Sequence, residues 1–231
     1  MGTRDYLEWD IYEWSKVLKF WSKSYNKLIP ENSIGLELGA RNGGVTAFFA
    51  KELKVSMIHC SDYNKPSQKA FDLHKKLGLS SKIEYLAIDA TSMDCEDGKY
   101  DFVVFKSVLG SIGREGGIDT IKLAIKEIKR VLKPGGVLFF AENLSSSRLH
   151  MYLRNNFVPW GNKWYYLSIH EIEEILNEFE TTSINTRGFF SSWVPDKYQV
   201  IKLIVHYIDN LLFFISKNLH YISYGYAKKR L

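Results

Sequence analysis

The sequence predicts an α/β fold built on a doubly wound, mostly parallel seven-stranded sheet whose last strand is antiparallel. Short apolar runs alternate with helix-like segments between positions 34 and 188, which is typical of parallel sheets with helices on both faces. The first apolar run enters a glycine-containing turn, IGLELGARNGG, at 34–44. A Lys-Pro-Gly-Gly turn at 133–136 ends a long predicted helix and begins another strand.

The elements follow one another in a regular order. Seven aromatic residues in the first thirty positions have the spacing of one or two amphipathic helices. Strands are predicted at Ile34–Leu38, Val55–Cys60, Ile83–Ile88, Tyr100–Phe105, Val137–Ala141, Thr182–Gly188 and Tyr221–Ala227. Helices are predicted at Val45–Leu53, Ser67–Leu77, Ile118–Leu132, His170–Phe179 and Asp196–Leu219. We expect the last strand to pair antiparallel with the strand that begins at Thr182.

This order predicts a single domain over residues 1–231. Within it, residues 1–30 form an aromatic N-terminal helical cap and residues 31–190 an α/β core. Residues 191–219 form a helical insertion, and residues 220–231 form the last strand with a basic tail.

Composition gives broader limits. The formal net charge of +5 is compatible with anionic ligands or a membrane surface, but it is too small to indicate nucleic acid. Cys60 and Cys95 form no Cys-x-x-Cys or metal-like pattern, so no metal is expected and a reduced, cytoplasmic setting is favoured. Acidic and aromatic residues within the first fourteen positions argue against a signal peptide.

Three carboxylates occur at the ends of three successive predicted strands. Glu37 lies just before Gly39, Asp62 follows the second strand and Asp89 follows the third. In a doubly wound sheet these strand ends converge on one crevice. A carboxylate after the second strand typically accepts hydrogen bonds from a ribose diol, and one after the third can accept from an adenine amine. Each acid alone could be a helix cap or a solvated loop residue, but the joint order indicates a nucleotide-like ligand.

The segments ELGARNGG, SDYN, IDA, YDFVVFKSVLGSIG and LKPGGVLFFAEN, in this order, resemble the class I S-adenosylmethionine-dependent methyltransferases, most closely the small-molecule type 11 group. The resemblance covers roughly residues 34–190. It implies a Rossmann-like methyltransferase fold, S-adenosylmethionine as the cofactor and a cofactor-binding role for the core at 31–190. The expected reaction is methylation of a small-molecule substrate.

The same resemblance implies a set of cofactor-binding residues. Glu37 and Gly39 would shape the methionine end, and Asp62 would hold the ribose. Lys106 and Ser107 would line the methionine and substrate side. The whole implied set is Glu37, Gly39, Ala40, Arg41, Gly43, Asp62, Tyr63, Asp89, Ala90, Lys106 and Ser107, with Tyr63 flanking the adenine and Asp89 and Ala90 contacting its edge.

One position departs from the family pattern. The loop of the family commonly reads Gly-x-Gly-x-Gly, and Arg41 replaces the middle glycine here. We expect the φ angle of Arg41 to be negative or mildly strained. Its guanidinium either reaches the cofactor carboxylate or an anionic substrate group, or remains an exposed loop arginine. A relative that binds the cofactor without turnover is the corresponding alternative.

Other enzyme classes fit less well. A short-chain dehydrogenase would need a catalytic Tyr-x-x-x-Lys pair after the glycine loop, and the pair Tyr12 with Lys16 precedes that loop. No Asn-Pro-Pro-Tyr motif follows the fourth strand, which argues against methylation of DNA bases or protein glutamine. The sequence therefore favours a small-molecule or glycan-like hydroxyl acceptor and no nucleic acid.

A hydroxyl acceptor benefits from a general base. The candidate catalytic residues are Glu142, at the end of the fifth strand, and His150, in the connecting segment at 144–166. Arg148 and Arg154 in the same segment are candidates for binding an acidic substrate.

The aromatic cap and the apolar run at 203–215 have several interpretations. They are expected to pack as cap elements over the active site, or to form a lid over an apolar or sugar-stacking acceptor. Alternatively, residues 200–219 provide a peripheral membrane contact or a homodimer face. The membrane alternative implies a lipid-linked or quinone-like acceptor. The run is too short and interrupted for a comfortable membrane span.

Overall fold

The computed structural model describes residues 6–157, 161–195, 197–212 and 214–231. Its strands are β1 (Ser33–Leu38), β2 (Val55–Asp62), β3 (Ile83–Ala87), β4 (Tyr100–Lys106), β5 (Leu132–Asn143), β6 (Thr181–Arg187) and β7 (Ile222–Lys228). Its α-helices are α1 (Ile11–Leu28), α2 (Gly44–Glu52), α3 (Gln68–Lys76), α4 (Leu109–Val131), α5 (Arg148–Phe157), α6 (Ile169–Leu176) and α7 (Gln199–Leu211). The first five residues of the predicted cap, residues 158–160 of the connecting segment, Asp196 and position 213 lie outside the described residues.

The described strands form one sheet in the order β3-β2-β1-β4-β5-β7-β6. Neighbouring strands from β3 to β5 are parallel, whereas β7 lies between β5 and β6 and is antiparallel to both. This topology confirms the predicted doubly wound, mostly parallel sheet with an antiparallel last strand. The strand order reverses direction between β1 and β4, where such sheets bind their ligands.

The central strands place alternate side chains in two hydrophobic layers. In β4, Phe102 and Val104 belong to one layer, and Val103 and Phe105 belong to the other. Helices α1 and α2 cover the first layer, and α4 and α6 cover the second. The sheet is therefore buried on both faces, and ligands can approach it at its strand ends.

The N-terminal aromatic residues belong to the core. Trp14, Trp21 and Tyr25 lie on one buried stripe of α1, at the spacing of whole helical turns. The Trp21 ring packs 6.1 Å from that of Phe49, and the Tyr25 ring packs edge-on at 5.4 Å from that of Phe102. The aromatic spacing thus encodes a helix fixed on the sheet.

The Lys-Pro-Gly-Gly turn begins a longer strand than the apolar run alone predicts. Pairing between β4 and β5 joins Tyr100 to Leu132 and Phe102 to Val137, so the turn forms a bulge within the ladder. Gly135 has φ +73°, a conformation that favours glycine.

Helical boundaries differ from the prediction in three places. Helix α4 begins at Leu109 and is interrupted at Gly117, which has φ 62° and ψ −146°. Helix α5 occupies part of the predicted connecting segment, and His150 is its one buried residue among those described. Helix α7 ends at Leu211 instead of Leu219. No helix in the described ranges has both the length and the apolar content needed to cross a bilayer.

Candidate active site

A cleft of about 1840 Å³ opens at the carboxyl ends of β1, β2 and β4. The chain before α1 and the loop after β3 also form its walls. Of the residues predicted to contact the cofactor, those that line the cleft are Glu37, Gly39, Ala40, Arg41, Asp62, Tyr63, Asp89, Ala90, Lys106 and Ser107. Gly43, Glu142 and His150 are not among its lining residues.

Two glycines allow the turn after β1 to pack closely. Gly39 has φ +67°, and a Cβ at this position would lie 2.5 Å from Cγ2 of Val108. Gly43 has φ +75°, and its carbonyl oxygen lies 2.8 Å from Nε2 of His74. Gly39 therefore shapes the cleft, whereas Gly43 fixes the loop against α3.

Arg41 adopts the strained alternative of the two expected conformations. Its φ is +49°, in the left-handed region that residues with a Cβ rarely occupy. Its backbone N–H donates to Oδ2 of Asp62 over 2.8 Å. The guanidinium is two-thirds exposed, lies 3.3 Å from the Glu8 carboxylate and stacks 5.4 Å from the centre of the Trp9 ring. Arg41 thus joins the turn after β1 to the chain before α1.

The acids after β2 and β3 are held in place by local donors. The backbone N–H groups of Arg41 and Tyr63 donate to the two different oxygens of Asp62, each over 2.8 Å. Each oxygen keeps a lone pair, which a ribose hydroxyl can use. Oδ1 of Asp89 accepts from the backbone N–H and the hydroxyl of Thr91. This donor and acceptor set fits the adenosine part of the cofactor that the sequence implies.

Glu37 forms the buried acidic wall of the cleft. Its Oε2 accepts from the backbone N–H of Thr46 over 2.7 Å and from the Thr46 hydroxyl. Burial raises the pKa of this carboxyl to about 7, although the Thr46 hydrogen bonds act in the opposite direction. A cationic group bound beside Glu37 would favour the ionised carboxylate.

Lys106 lies between two aromatic rings. Its Nζ is 3.3 Å from the centre of the Trp9 ring and 4.3 Å from that of Trp14. No carboxylate of the described residues forms an ion pair with it. Burial lowers the pKa of this amine to about 7, partly opposed by the negative charge of Glu8. Lys106 is therefore a cleft group that can change protonation near neutral pH.

Ser107 directly follows β4 in a strained conformation. Its φ is +56°, and its N–H donates to the carbonyl of Ala141 over 2.8 Å. The Asn143 side chain donates to the Ser107 hydroxyl over 3.0 Å, and both residues line the cleft. Strain held by such contacts is frequent at functional sites.

The structure does not support a catalytic role for Glu142. The residue is fully buried. Its Oε2 accepts from the backbone N–H groups of Val108 and Leu109, at 2.8 and 2.7 Å, and its Oε1 accepts from that of Asn143. Burial raises the pKa of this carboxyl to about 7. Its evident role is to hold the start of α4, which explains why that helix begins before the predicted position.

His150 likewise lies away from the cleft. Its ring Nδ1 is 2.8 Å from the Ser147 hydroxyl, and its Nε2 is 2.9 Å from the carbonyl oxygen of Phe189. Burial lowers its pKa and favours the neutral ring. Both ring nitrogens therefore have protein partners, and the role of His150 as a base stays a prediction.

The two arginines of the connecting segment differ. Arg154 lines the cleft, donates to the carbonyl of Leu144 over 2.5 Å and stacks 4.5 Å from the Tyr166 ring. Arg148 is exposed and is not among the lining residues.

A buried charged network attaches the chain before α1 to the C-terminal elements. Asp10 pairs with Lys202 over 3.1 Å and accepts from the Tyr221 hydroxyl. Glu13 pairs with Arg187 over 2.5 Å and contacts His206. These partners lie more than 170 positions apart in sequence, so no local pattern indicates them. They hold Trp9 and Trp14 over the cleft. No cluster of potential metal ligands occurs among the described residues.

Comparisons of the sequence support the expected family. The type 11 family model, described as a methyltransferase domain, matches residues 36–140. The chain is 32% identical to the rat thiol S-methyltransferase TMT1B over 114 residues. That match spans 48% of this chain and 42% of the rat protein, so less than half of the relative is represented.

Comparisons of the structure agree on the fold. A putative sarcosine dimethylglycine methyltransferase from Galdieria sulphuraria superposes with a TM-score of 0.66 at 17% identity, covering 95% of this chain and 88% of that one. Haemonchus contortus phosphoethanolamine N-methyltransferase 2, solved with S-adenosylmethionine, superposes with a TM-score of 0.64 at 16% identity. The match covers 94% of this chain and 53% of that one. The [4+2]-cyclase SpnF superposes with a TM-score of 0.63 at 17% identity, and the match covers 91% of this chain and 80% of that one. The family model thus matches a methyltransferase domain within residues 36–140, and the solved structures show that the chain has the fold of these enzymes; together they support the expected class I S-adenosylmethionine-dependent methyltransferase family.

Proposed function

We propose that this protein transfers the methyl group of S-adenosylmethionine to a hydroxyl or thiol of a small molecule bound beside Lys106. One observation carries the proposal. Trp9, Trp14 and Asn143 also line the cleft, and with the Lys106 amine, which lies between the two indole rings, they form the compartment that we assign to the acceptor. That compartment is concave and largely aromatic, with a few polar groups, as small-molecule sites usually are.

The cofactor would occupy the part of the cleft nearest the glycine turn. Asp62 would accept the ribose hydroxyls, Asp89 would contact the adenine edge, and Glu37 would face the methionine end. When bound, S-adenosylmethionine supplies a methyl group already activated on a sulfonium centre. The protein then has to orient the acceptor and exclude water.

Lys106 is the cleft residue best suited to take the acceptor proton. With a pKa of about 7, its amine is neutral in a substantial fraction of molecules at neutral pH. Nζ of the neutral amine can accept the proton that a hydroxyl or thiol loses as it is methylated. The faces of Trp9 and Trp14 then stabilise the ammonium ion that forms. Lys106 therefore takes the role that the sequence assigned to Glu142 or His150.

Both acceptor types remain in the proposal because both lose a proton on methylation. A small-molecule or glycan-like hydroxyl follows from the sequence interpretation. A thiol is suggested by the name of the rat relative, thiol S-methyltransferase. The exposed apolar residues of α7 also favour the alternative of a lipid-linked or quinone-like acceptor. A cytoplasmic location is likewise an expectation from the sequence.

The test combines binding with turnover. Calorimetric titration with S-adenosylhomocysteine should give one site per chain. Incubation with S-adenosylmethionine and a panel of phenols, sugars and alkyl and aryl thiols should then release S-adenosylhomocysteine. Absence of binding would contradict the proposed function, and release with thiols alone would assign the acceptor.

A second candidate is cofactor binding without methyl transfer. SpnF, named as a [4+2]-cyclase, has the same fold, and a fold does not determine its chemistry. Arg41, in place of a family glycine, is the feature of this chain that favours the alternative. Tight binding of S-adenosylmethionine with no turnover across the panel would support it.

A further inference from the structure

Helix α7 presents its apolar residues to solvent. The exposed fraction is 73% for Val200 and 72% for Leu211, at the two ends of the helix. The other large exposed apolar residues of α7 are Ile201, Ile204, Tyr207 and Ile208. Positions 200, 204, 207, 208 and 211 follow helical spacing, so they form one continuous stripe.

The opposite side of α7 is polar and faces the protein. Lys202 and His206 are buried and pair with Asp10 and Glu13 respectively. Asp209 accepts hydrogen bonds from the backbone N–H groups of residues 189–191, at 2.9–3.0 Å. Rotating the helix to bury its apolar stripe would break these pairs. These pairs therefore fix α7 with its polar side towards the protein. Its apolar stripe stays exposed and available to a partner.

Among the described residues, exposed lysines border this stripe. Lys197 and Lys217 are exposed on either side of α7. Tyr12 of α1 has its ring 5.8 Å from that of His206, so this side of α1 adjoins α7. Lysines at one, two and three turns beyond Tyr12 continue the same side of α1, and these exposed residues are Lys16, Lys19 and Lys23. The acids of α1 and α7, Glu13 and Asp209, are used in the inward contacts described above.

We propose that the α1–α7 surface, comprising the apolar stripe of α7 and the adjoining lysines of α1, binds the surface of an anionic phospholipid membrane. An amphipathic helix with this apolar face and cationic border lies in the plane of the interface, with its lysines at the lipid phosphates. Thirteen residues are too few to cross the bilayer. A symmetric contact between two copies would bring their cationic borders together, which makes lipid the better complement.

This surface adjoins the cleft. Lys202 lies on the inner side of α7, and both it and its partner Asp10 line the cleft. Membrane binding would therefore place the cleft next to the headgroup region, where acceptors dissolved in the bilayer are concentrated. The membrane proposal does not require the proposed methyl transfer to be correct.

The experiment is flotation of the full chain with vesicles. Vesicles of phosphatidylcholine alone are compared with vesicles containing 3 parts phosphatidylcholine to about 1 part phosphatidylglycerol, which supplies the negative surface charge. We expect the protein to float with the anionic vesicles and to be released by high salt. Failure of the wild-type chain to bind anionic vesicles would overturn the proposal.

Variants distinguish this surface from general adhesion. Val200→Glu with Leu211→Glu should lower anionic-vesicle binding at least about tenfold. Leu123→Glu, at an exposed apolar residue of α4, should have no effect. Lys16→Glu with Lys19→Glu should weaken binding, whereas Lys75→Glu with Lys76→Glu on α3 should not. If a control variant lost as much vesicle binding as the matching α7 or α1 variant, the assignment would be overturned.

Folding and self-association are measured on the same samples. Because the substituted side chains are exposed, circular dichroism should show unchanged melting curves for all variants. Light scattering reports the oligomeric state. A dimer abolished by Val200→Glu with Leu211→Glu, without vesicle binding by the wild type, would assign the surface to a second copy and overturn the lipid proposal.

Discussion

The ammonium nitrogen of Lys106 lies 3.3 Å from the centre of the Trp9 ring, although the two residues are 97 positions apart. Trp9 precedes α1, and Lys106 ends β4, so the contact closes the cleft on the side that we propose for the acceptor. The arrangement supports both states of the lysine. Burial favours the neutral amine, and the aromatic faces stabilise the charged one.

The first prediction concerns the pH dependence of turnover. A lysine whose pKa is lowered to about 7 is a neutral base above that pH and a charged ammonium below it. We therefore expect kcat/KM to rise with pH and to level off above about 7. The measurement uses an acceptor whose own hydroxyl or thiol titrates well above this range, so that the inflection reports the enzyme.

Substitutions at Lys106 test the assignment. Lys106→Met should lower kcat by about 100-fold, because general bases commonly contribute at least that much. Lys106→Arg keeps the charge and the aromatic contacts but cannot act as a base, so it should lose activity at every pH. S-adenosylhomocysteine affinity should be nearly unchanged in both. Full activity in Lys106→Arg would show that the residue contributes charge alone.

The second prediction separates a structural role for Glu142 from a catalytic one. Glu142→Gln leaves a single acceptor oxygen for the backbone N–H groups of Val108, Leu109 and Asn143. We expect the free energy of unfolding to fall by about 1–3 kcal/mol, as for a buried donor left unsatisfied. Urea denaturation measures the loss. The inflection of kcat/KM near pH 7 should persist, and its disappearance would return Glu142 to the role of base.

Most of the fold could be predicted from the sequence because its signals are local. Apolar runs such as YDFVVF mark buried strands, and β4 begins at the predicted residue, Tyr100. Helix α5 was missed because it buries little apolar surface. The start of α4 was missed because it depends on Glu142, which is 33 positions away from Leu109.

Residues of the candidate site could be predicted from the sequence where they lie at the ends of predicted strands. The cofactor set from Glu37 to Ser107 lines one cleft, apart from Gly43. Its roles in binding stay predictions. The catalytic candidates could not be chosen from sequence because access to the cleft depends on tertiary contacts. His150 contacts Phe189, and the aromatic rings beside Lys106 come from the N-terminal part of the chain.

The third prediction concerns cofactor affinity. Asp62→Ala removes the carboxylate proposed to accept two ribose hydroxyls. We expect the Kd for S-adenosylhomocysteine, measured by calorimetry, to rise by at least about 100-fold, since hydrogen bonds to charged groups contribute about 1.5–3 kcal/mol each. Asp89→Asn keeps an acceptor oxygen for Thr91 and should change the Kd by less than about tenfold. Unchanged affinity in Asp62→Ala would remove Asp62 from the cofactor site.

The fourth prediction concerns the turn after β1. Gly39→Ala adds a Cβ at a positive φ and places it 2.5 Å from Cγ2 of Val108. We expect a loss of about 2–4 kcal/mol in the free energy of unfolding, from backbone strain and overpacking together. Adding Val108→Ala should relieve the overpacking but not the strain. Urea denaturation of the single and double variants measures these losses. If the changes in the free energy of unfolding from Gly39→Ala and Val108→Ala simply added in the double variant, a direct contact would be contradicted.

The last prediction tests the pair that joins Asp10 to α7. Burial raises the pKa of Asp10 from its ordinary value, 3.8, to about 6, although Lys202 acts in the opposite direction. The folded state therefore retains a proton that the unfolded state loses between these values, so stability falls as pH rises through this window. Without Lys202 the pKa of Asp10 rises further, and the fall continues above pH 6. Lys202→Met should thus lower the free energy of unfolding by about 3 kcal/mol or more at pH 8, where it leaves a buried carboxylate unpaired, and by less at pH 5, where the carboxyl is protonated.

Urea denaturation at both pH values measures the difference, and Asp10→Asn combined with Lys202→Met should abolish it. An equal loss at both pH values would mean that Lys202 supports α7 by packing and not by its charge.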